Sequence, residues 1–280
     1  MGNFEFLLKV KDYKDFASAC VDAENQMLVS TVSTAIMTRR ALELAVKWMY
    51  KYDMELRLPY KDNLSALVND DTFKRIVNQD IQRSIRYIIK TGNLAAHNSR
   101  KIEKSQAVTS LRNLFEFIQW LEYSYNEHSA DREFDEKLVP SIEKLKLRLK
   151  PVETEKVVAQ VSVEDTPLEI QREEANEQTQ TAITETRQKS EQIHPYPFAI
   201  DPYTEKVTRE QFINVDLALA GWSIGKNVEE EVKLQGMPNS EGVGYADYVL
   251  FGQDGLPLAV VEAKRTSVNP NEGAHQATIY

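Results

Sequence analysis

Apolar residues recur at helical spacing through most of the first 150 positions. Residues 11–25 suit one helix. Across 31–51, Ile36, Leu42, Val46 and Met49 recur on one face, with Ser30 placed to cap the start. The stretch 72–90 sets Phe73, Ile76, Val77, Ile81, Ile85, Ile88 and Ile89 on a broad stripe. Asp70 or Asp71 is expected to cap it and Gly92 to end it. Residues 105–127 repeat the pattern behind Ser105, and a last helix is expected around 132–149, with Pro140 kinking it or marking its start. Helices joined by short loops predict an N-terminal α-helical bundle over residues 1–150.

The pattern breaks at residue 151. Residues 151–194 contain no Gly, Phe, Tyr or Trp and are dominated by Gln, Glu and Thr. Such a stretch buries little apolar surface, so it reads as an acidic polar linker or a solvated helix. From 195 onward the periods mix. Residues 205–222 place Phe212, Val215, Leu219 and Trp222 on one helix face ending at Gly221, and 245–251 alternate. Gly252 to Gly255 signals a hairpin turn, and 257–264 reads as a buried second strand. The expected fold class is therefore α+β and multidomain: helical bundle, linker, then an α/β domain over 195–280.

Charge sharpens this division. The chain of 280 residues carries a net charge of −9, split as +3 over 1–150, −6 over 151–194 and −6 over 195–280. That balance argues against a freestanding nucleic-acid coat or a polybasic membrane binder. No apolar run approaches the ~18 residues of a membrane span. The opening MGNFEFLLKVKDYKDF lacks the continuous apolar core of a signal peptide. Cys20 is the single cysteine, which excludes an internal disulfide and makes a reducing cytoplasm the expected compartment, with no membrane partner.

The chemistry concentrates in the last segment. Glu262 and Lys264 are two apart on one strand and so share a face, and the hairpin carries Asp247 toward Glu262. Two close carboxylates repel, and a hard divalent cation such as Mg²⁺ removes the repulsion. A nearby ammonium then serves to orient or deprotonate a metal-bound water against a phosphodiester. The plain alternative is a surface hairpin with a solvated Glu262–Lys264 contact. Further on, Asn269 and Pro270 suit a helix start, and Gln276 and Tyr280 are four apart on one helix face.

A Q-x-x-x-Y pair after E-x-K resembles the PD-(D/E)xK nuclease fold in its RecB-like branch. The wider series is E-x-x-T-R (Glu205 to Arg209), AGW (Ala220 to Trp222), G-x-A-D-Y-V-L (Gly244 to Leu250) and G-x-P-L-A-V-V-E-A-K-R (Gly255 to Arg265). It resembles the N-terminal part of the restriction subunit of type I restriction-modification enzymes. NFEFL, RRALE and GNLAAH resemble the helical front extension of such subunits.

The resemblance implies a restriction-endonuclease-like domain in which Asp247 and Glu262 bind Mg²⁺, with the Ala263 carbonyl as a further ligand. Lys264 is implied as the catalytic lysine, Gln276 and Tyr280 as the supporting pair, and Glu205 as the acidic residue of the first helix. Asn214 departs from the family, which usually has Asp after Ile there. The implied activity is hydrolysis of double-stranded DNA, coupled in the whole enzyme to ATP-driven translocation, with modification and specificity subunits as partners.

No phosphate-cradling G-x-x-x-x-G-K-[ST] loop occurs; in GWSIGKN the glycines are one residue too close and Asn227 replaces Ser or Thr. ATP is accordingly expected only in motor domains beyond this chain, and the chain is expected to be an N-terminal piece whose last helix is incomplete. The alternative is an inactive fragment that acts as a docking module. TGNLAAHNSR, with Arg40 and Glu43, also resembles HEPN-like helical domains, some of which cleave RNA through an Arg/His pair a few residues apart. Arg86, the nearest arginine upstream of His97, is too far for that motif, so a structural or docking bundle is the favoured reading of this part.

Overall fold

Ser30 opens the long helix of the N-terminal half by accepting a hydrogen bond from the Ser33 amide at 2.9 Å. The structure is a computed structural model that describes residues 2–97, 102–141, 167–193, 208–237 and 242–263. They fall into two compact units, Met1–Pro197 and Phe198–Tyr280.

The first unit is helical. Short 3₁₀ turns lead into α1 (Lys14–Asn25), followed by α2 (Thr31–Tyr52), α3 (Leu64–Asn69), α4 (Asp71–Ile76), α5 (Gln79–His97) and α6 (Lys104–Tyr125). Trp48 on α2 anchors the core. Tyr13, Phe16 and Tyr125 meet its ring edge-on at 5.4, 5.9 and 5.6 Å between centroids, a favoured aromatic geometry. Its indole N–H donates to the Asp12 carbonyl at 2.7 Å, so the buried donor is satisfied.

Several expectations need correction. The stripe over 72–90 is not one helix. Asp70 caps α4, whose first amides it satisfies through Thr72 at 2.7 Å, and Asn78 caps α5 through the Ile81 amide at 2.9 Å. Two capping side chains eight residues apart make two helices where apolar spacing alone suggests one. Gly92 does not end α5 but lies inside it, against α2: a Cβ there would stand 2.6 Å from Arg39 Cβ. α6 begins after Glu103, whose amide donates to Gln106 Oε1 at 3.0 Å, so Ser105 is inside the first turn. Residues 132–141 form turns instead of a helix, held to the N-terminus by the Asp135 amide on Asn3 Oδ1 at 2.9 Å. Residues 142–149 lie outside the described residues.

The stretch read as a linker or a solvated helix is helical over 168–193, largely solvent-facing but with one side on the bundle. It forms α7 (Leu168–Glu173) and α8 (Glu177–Ile193), both seated on the bundle. Arg172 donates to the Leu56, Asp53 and Met54 carbonyls at 2.6, 3.3 and 3.2 Å, which satisfies acceptors just past the C-terminus of α2. Arg187 pairs with Asp53, Glu55 and Glu191. Residues 151–166 lie outside the described residues.

The second unit combines helix and sheet. A π-helical turn (Arg209–Ile213) runs into α9 (Asn214–Leu219), which stops at Gly221 with φ 92°. Three antiparallel strands follow in the order β1 (Val228–Gln235), β2 (Val243–Phe251), β3 (Pro257–Val261). Tyr248, Leu250, Val228, Ala263 and Leu217 form its core, flanked by Ile213, Trp222 and Val261. β3 was expected to be buried, yet Pro257 to Ala259 are exposed and only Val260 and Val261 are half-buried; among the described residues β3 pairs with β2 alone. Across both units, no helix of the described residues is long and apolar enough to cross a membrane.

Candidate functional site

The site is built on the β2–β3 hairpin. Val249 pairs with Val260 and Tyr248 with Val261, the last pair of the ladder, and Asp247 and Glu262 are the residues just beyond it. Paired residues share a face, and Tyr248 and Val261 point to the core. Asp247 and Glu262 therefore belong to the opposite face. The Ala263 amide donates to Asp247 Oδ2 at 2.7 Å and fixes that carboxylate at the strand end.

Arg209, on the helical turn, meets the other oxygen. Its Nη1 lies 3.3 Å from Asp247 Oδ1 and 3.2 Å from Glu231 Oε1. Its guanidinium sits 5.2 Å from the Tyr248 ring centroid. Burial alone would lower the Arg209 pKa, but the Tyr248 and Asp247 partners hold it above the usual value. Tyr248 is pushed up by burial, against the opposing effect of Arg209. Its hydroxyl donates to Asn214 Oδ1 at 2.8 Å, so Asn214 supports the strand through a neutral acceptor.

Glu231 sits between Glu230, which pairs with Tyr248, and Val232, which pairs with Ala246. It has its backbone in the left-handed region at φ 54° and reaches the Arg209 guanidinium that also meets Asp247. Glu231 and Asp247 thus share one guanidinium. Among the described residues, however, no three or more His, Cys, Asp or Glu side chains gather as a metal-ligand set.

The structure thus brings Asp247 and the Ala263 amide together, with Glu262 next to Ala263 in the chain. Lys264, Gln276, Tyr280 and Glu205 lie outside the described residues. Arg209 and Glu231 were not singled out from sequence. Arg209 had a signal, as the last residue of the E-x-x-T-R series; Glu231 was hidden in a run of three glutamates. In the first unit His97 is the last residue of α5, and Arg86 lies eleven residues earlier on the same helix, about 16 Å along its axis.

With this geometry in view, comparison with known proteins adds one match. Residues 22–146 match a family described as "Domain of unknown function (DUF4145)". No curated protein and no solved structure matches the chain.

Proposed function

We propose that the chain is part of the restriction subunit of a type I restriction-modification enzyme, and that its second unit is a PD-(D/E)xK module hydrolysing phosphodiester bonds of double-stranded DNA. The observation that supports this reading best is the Ala263 amide on Asp247 Oδ2 at 2.7 Å, which ties the residue after Glu262 to Asp247 just beyond the last β2–β3 pair.

Two carboxylates and a backbone carbonyl are hard oxygen donors, and Mg²⁺ accepts so few protein ligands because it keeps several waters. Asp247, Glu262 and the Ala263 carbonyl would hold it. When bound, Mg²⁺ lowers the pKa of a coordinated water and offsets charge developing on the phosphate. The chain's own residues do the rest. The Ala263 amide keeps Asp247 from rotating out of the site, and Tyr248, tied to Asn214, holds β2 against α9. Lys264, two residues after Glu262, is assigned the ammonium that orients the attacking water or the scissile phosphate.

ATP-driven translocation, the modification and specificity subunits, and a cytoplasmic setting belong to the same proposal. The helical unit is assigned a docking role within the assembly. The test is titration calorimetry with Mn²⁺ on the whole chain and on Asp247→Asn. Loss of the binding heat in Asp247→Asn is expected; equal heats from both proteins would remove Asp247 from the site.

A further inference from the structure

We infer that Arg209 is an internal counter-ion of this site, holding Asp247 until a divalent cation displaces it. The inference rests on the reading of Asp247 as a metal-binding carboxylate. Oδ2 accepts from the Ala263 amide, and Oδ1 is the oxygen that Arg209 shares with an incoming cation. The Arg209 and Asp247 side chains are only 16 % and 15 % exposed, so their pairing is less screened than that of a surface pair. A guanidinium does not shed its charge by deprotonation, so a cation competes with it only by moving it.

The geometry gives Arg209 a place to stay when it yields. The same Nη1 already touches Glu231, and the guanidinium rests over Tyr248. Glu231 is 72 % exposed, so its attraction for Arg209 is the weaker of the two before a cation arrives. After displacement, Glu231 and the Tyr248 ring still hold the side chain beside the site. Arg209 is thus a positioning residue that keeps the cation-free site from accumulating negative charge.

The test is Mn²⁺ titration calorimetry on the whole chain for wild type, Arg209→Met, Arg209→Lys and Asp247→Asn. Arg209→Met keeps an apolar stem over Tyr248 and removes the charge. It should bind Mn²⁺ about fivefold tighter, the size of one partly exposed ion pair. Arg209→Lys should bind like wild type, and Asp247→Asn should lose binding. In melts, Arg209→Met should lose stability in chelator and gain more from saturating Mn²⁺ than wild type does.

An independent measurement on unaltered protein is the Arg209 Nε–H NMR signal, assigned by its absence in Arg209→Lys, which should shift as Mg²⁺ is added. A folded Arg209→Met that binds Mn²⁺ no tighter, or an Arg209 signal unmoved at saturating Mg²⁺, overturns the counter-ion role while Asp247 stays in the site. Undiminished binding by Asp247→Asn, or no binding by wild type, overturns the metal site itself.

Discussion

Arg187 and Asp53 meet inside the helical unit across 134 positions of sequence, Nε to Oδ2 at 2.5 Å, with both side chains closed to solvent at 1 % and 0 % exposure. Tyr125 donates its hydroxyl to the same Asp53 oxygen at 2.8 Å, and the Glu55 amide donates to the other at 3.0 Å. Burial, with the Asp53 charge next, pushes the Tyr125 hydroxyl pKa well up, so it remains a donor at all ordinary pH values. The network is fully occupied, and it joins α8 to the end of α2.

Removing one partner of such a pair leaves a buried charge without compensation. Arg187→Ala should therefore cost about 3–5 kcal/mol in urea unfolding. The double variant Arg187→Met with Asp53→Asn should recover part of that loss, since no charge is then left stranded. Limited trypsin digestion provides a second measure: the bonds after Arg172 and Lys189 should resist in wild type and be cut in Arg187→Ala. A loss under 1 kcal/mol would mean that α8 contributes little to the unit.

Glu116 makes a pH-dependent prediction. Burial raises its pKa, against lowering by the Ser84 hydroxyl, 2.9 Å away, and by the Arg112 charge. A raised folded-state pKa means that its contribution is full below the usual carboxylate range and is lost as pH rises through the folded value. At neutral pH the charged form is therefore a cost. Glu116→Gln keeps the oxygen facing Ser84 and should raise stability at pH 7 by about 0.5–1 kcal/mol. The gain should shrink as pH falls toward 4, readable from melting temperatures across that range.

Gly92 tests the contact between α5 and α2. Alanine in mid-helix gains about 1 kcal/mol of propensity. Here its methyl would stand 2.6 Å from Arg39 Cβ and 2.7 Å from Arg39 Cδ. The first of these is fixed to the backbone of α2, and overpacking of this kind costs about 1–3 kcal/mol. Gly92→Ala should thus lower stability by about 1 kcal/mol; a higher melting temperature would show that the two helices separate freely.

Lys264 tests the proposed chemistry. Lys264→Ala in the reconstituted full-length enzyme should abolish plasmid cleavage while ATP hydrolysis continues. Undiminished cleavage would sink the assignment. Loss of both activities would point to misfolding, which the melting temperature would reveal.

What the sequence discloses is local. The Ser30 cap, the length of α2 and the β2–β3 hairpin all follow from spacing within one or two elements. The missed features depend on distant partners or on side chains that override periodicity. Asn78 interrupts a continuous apolar stripe by capping. β1 escaped because Glu229, Glu230 and Glu231 erase the alternation that marks a strand. Arg187 sits in a polar helix and reads as solvated; only Asp53, on another element, makes it a buried anchor. Arg209 needed the fold of the second unit before it could be seen to touch two carboxylates.

Glu231 holds a backbone angle of φ 54° that a glycine adopts freely and that costs an L side chain roughly 1–2 kcal/mol. Position 231 is therefore one where two kinds of selection diverge. A library of variants sorted for heat resistance alone should enrich glycine there. A library sorted for the proposed restriction activity should keep the acid.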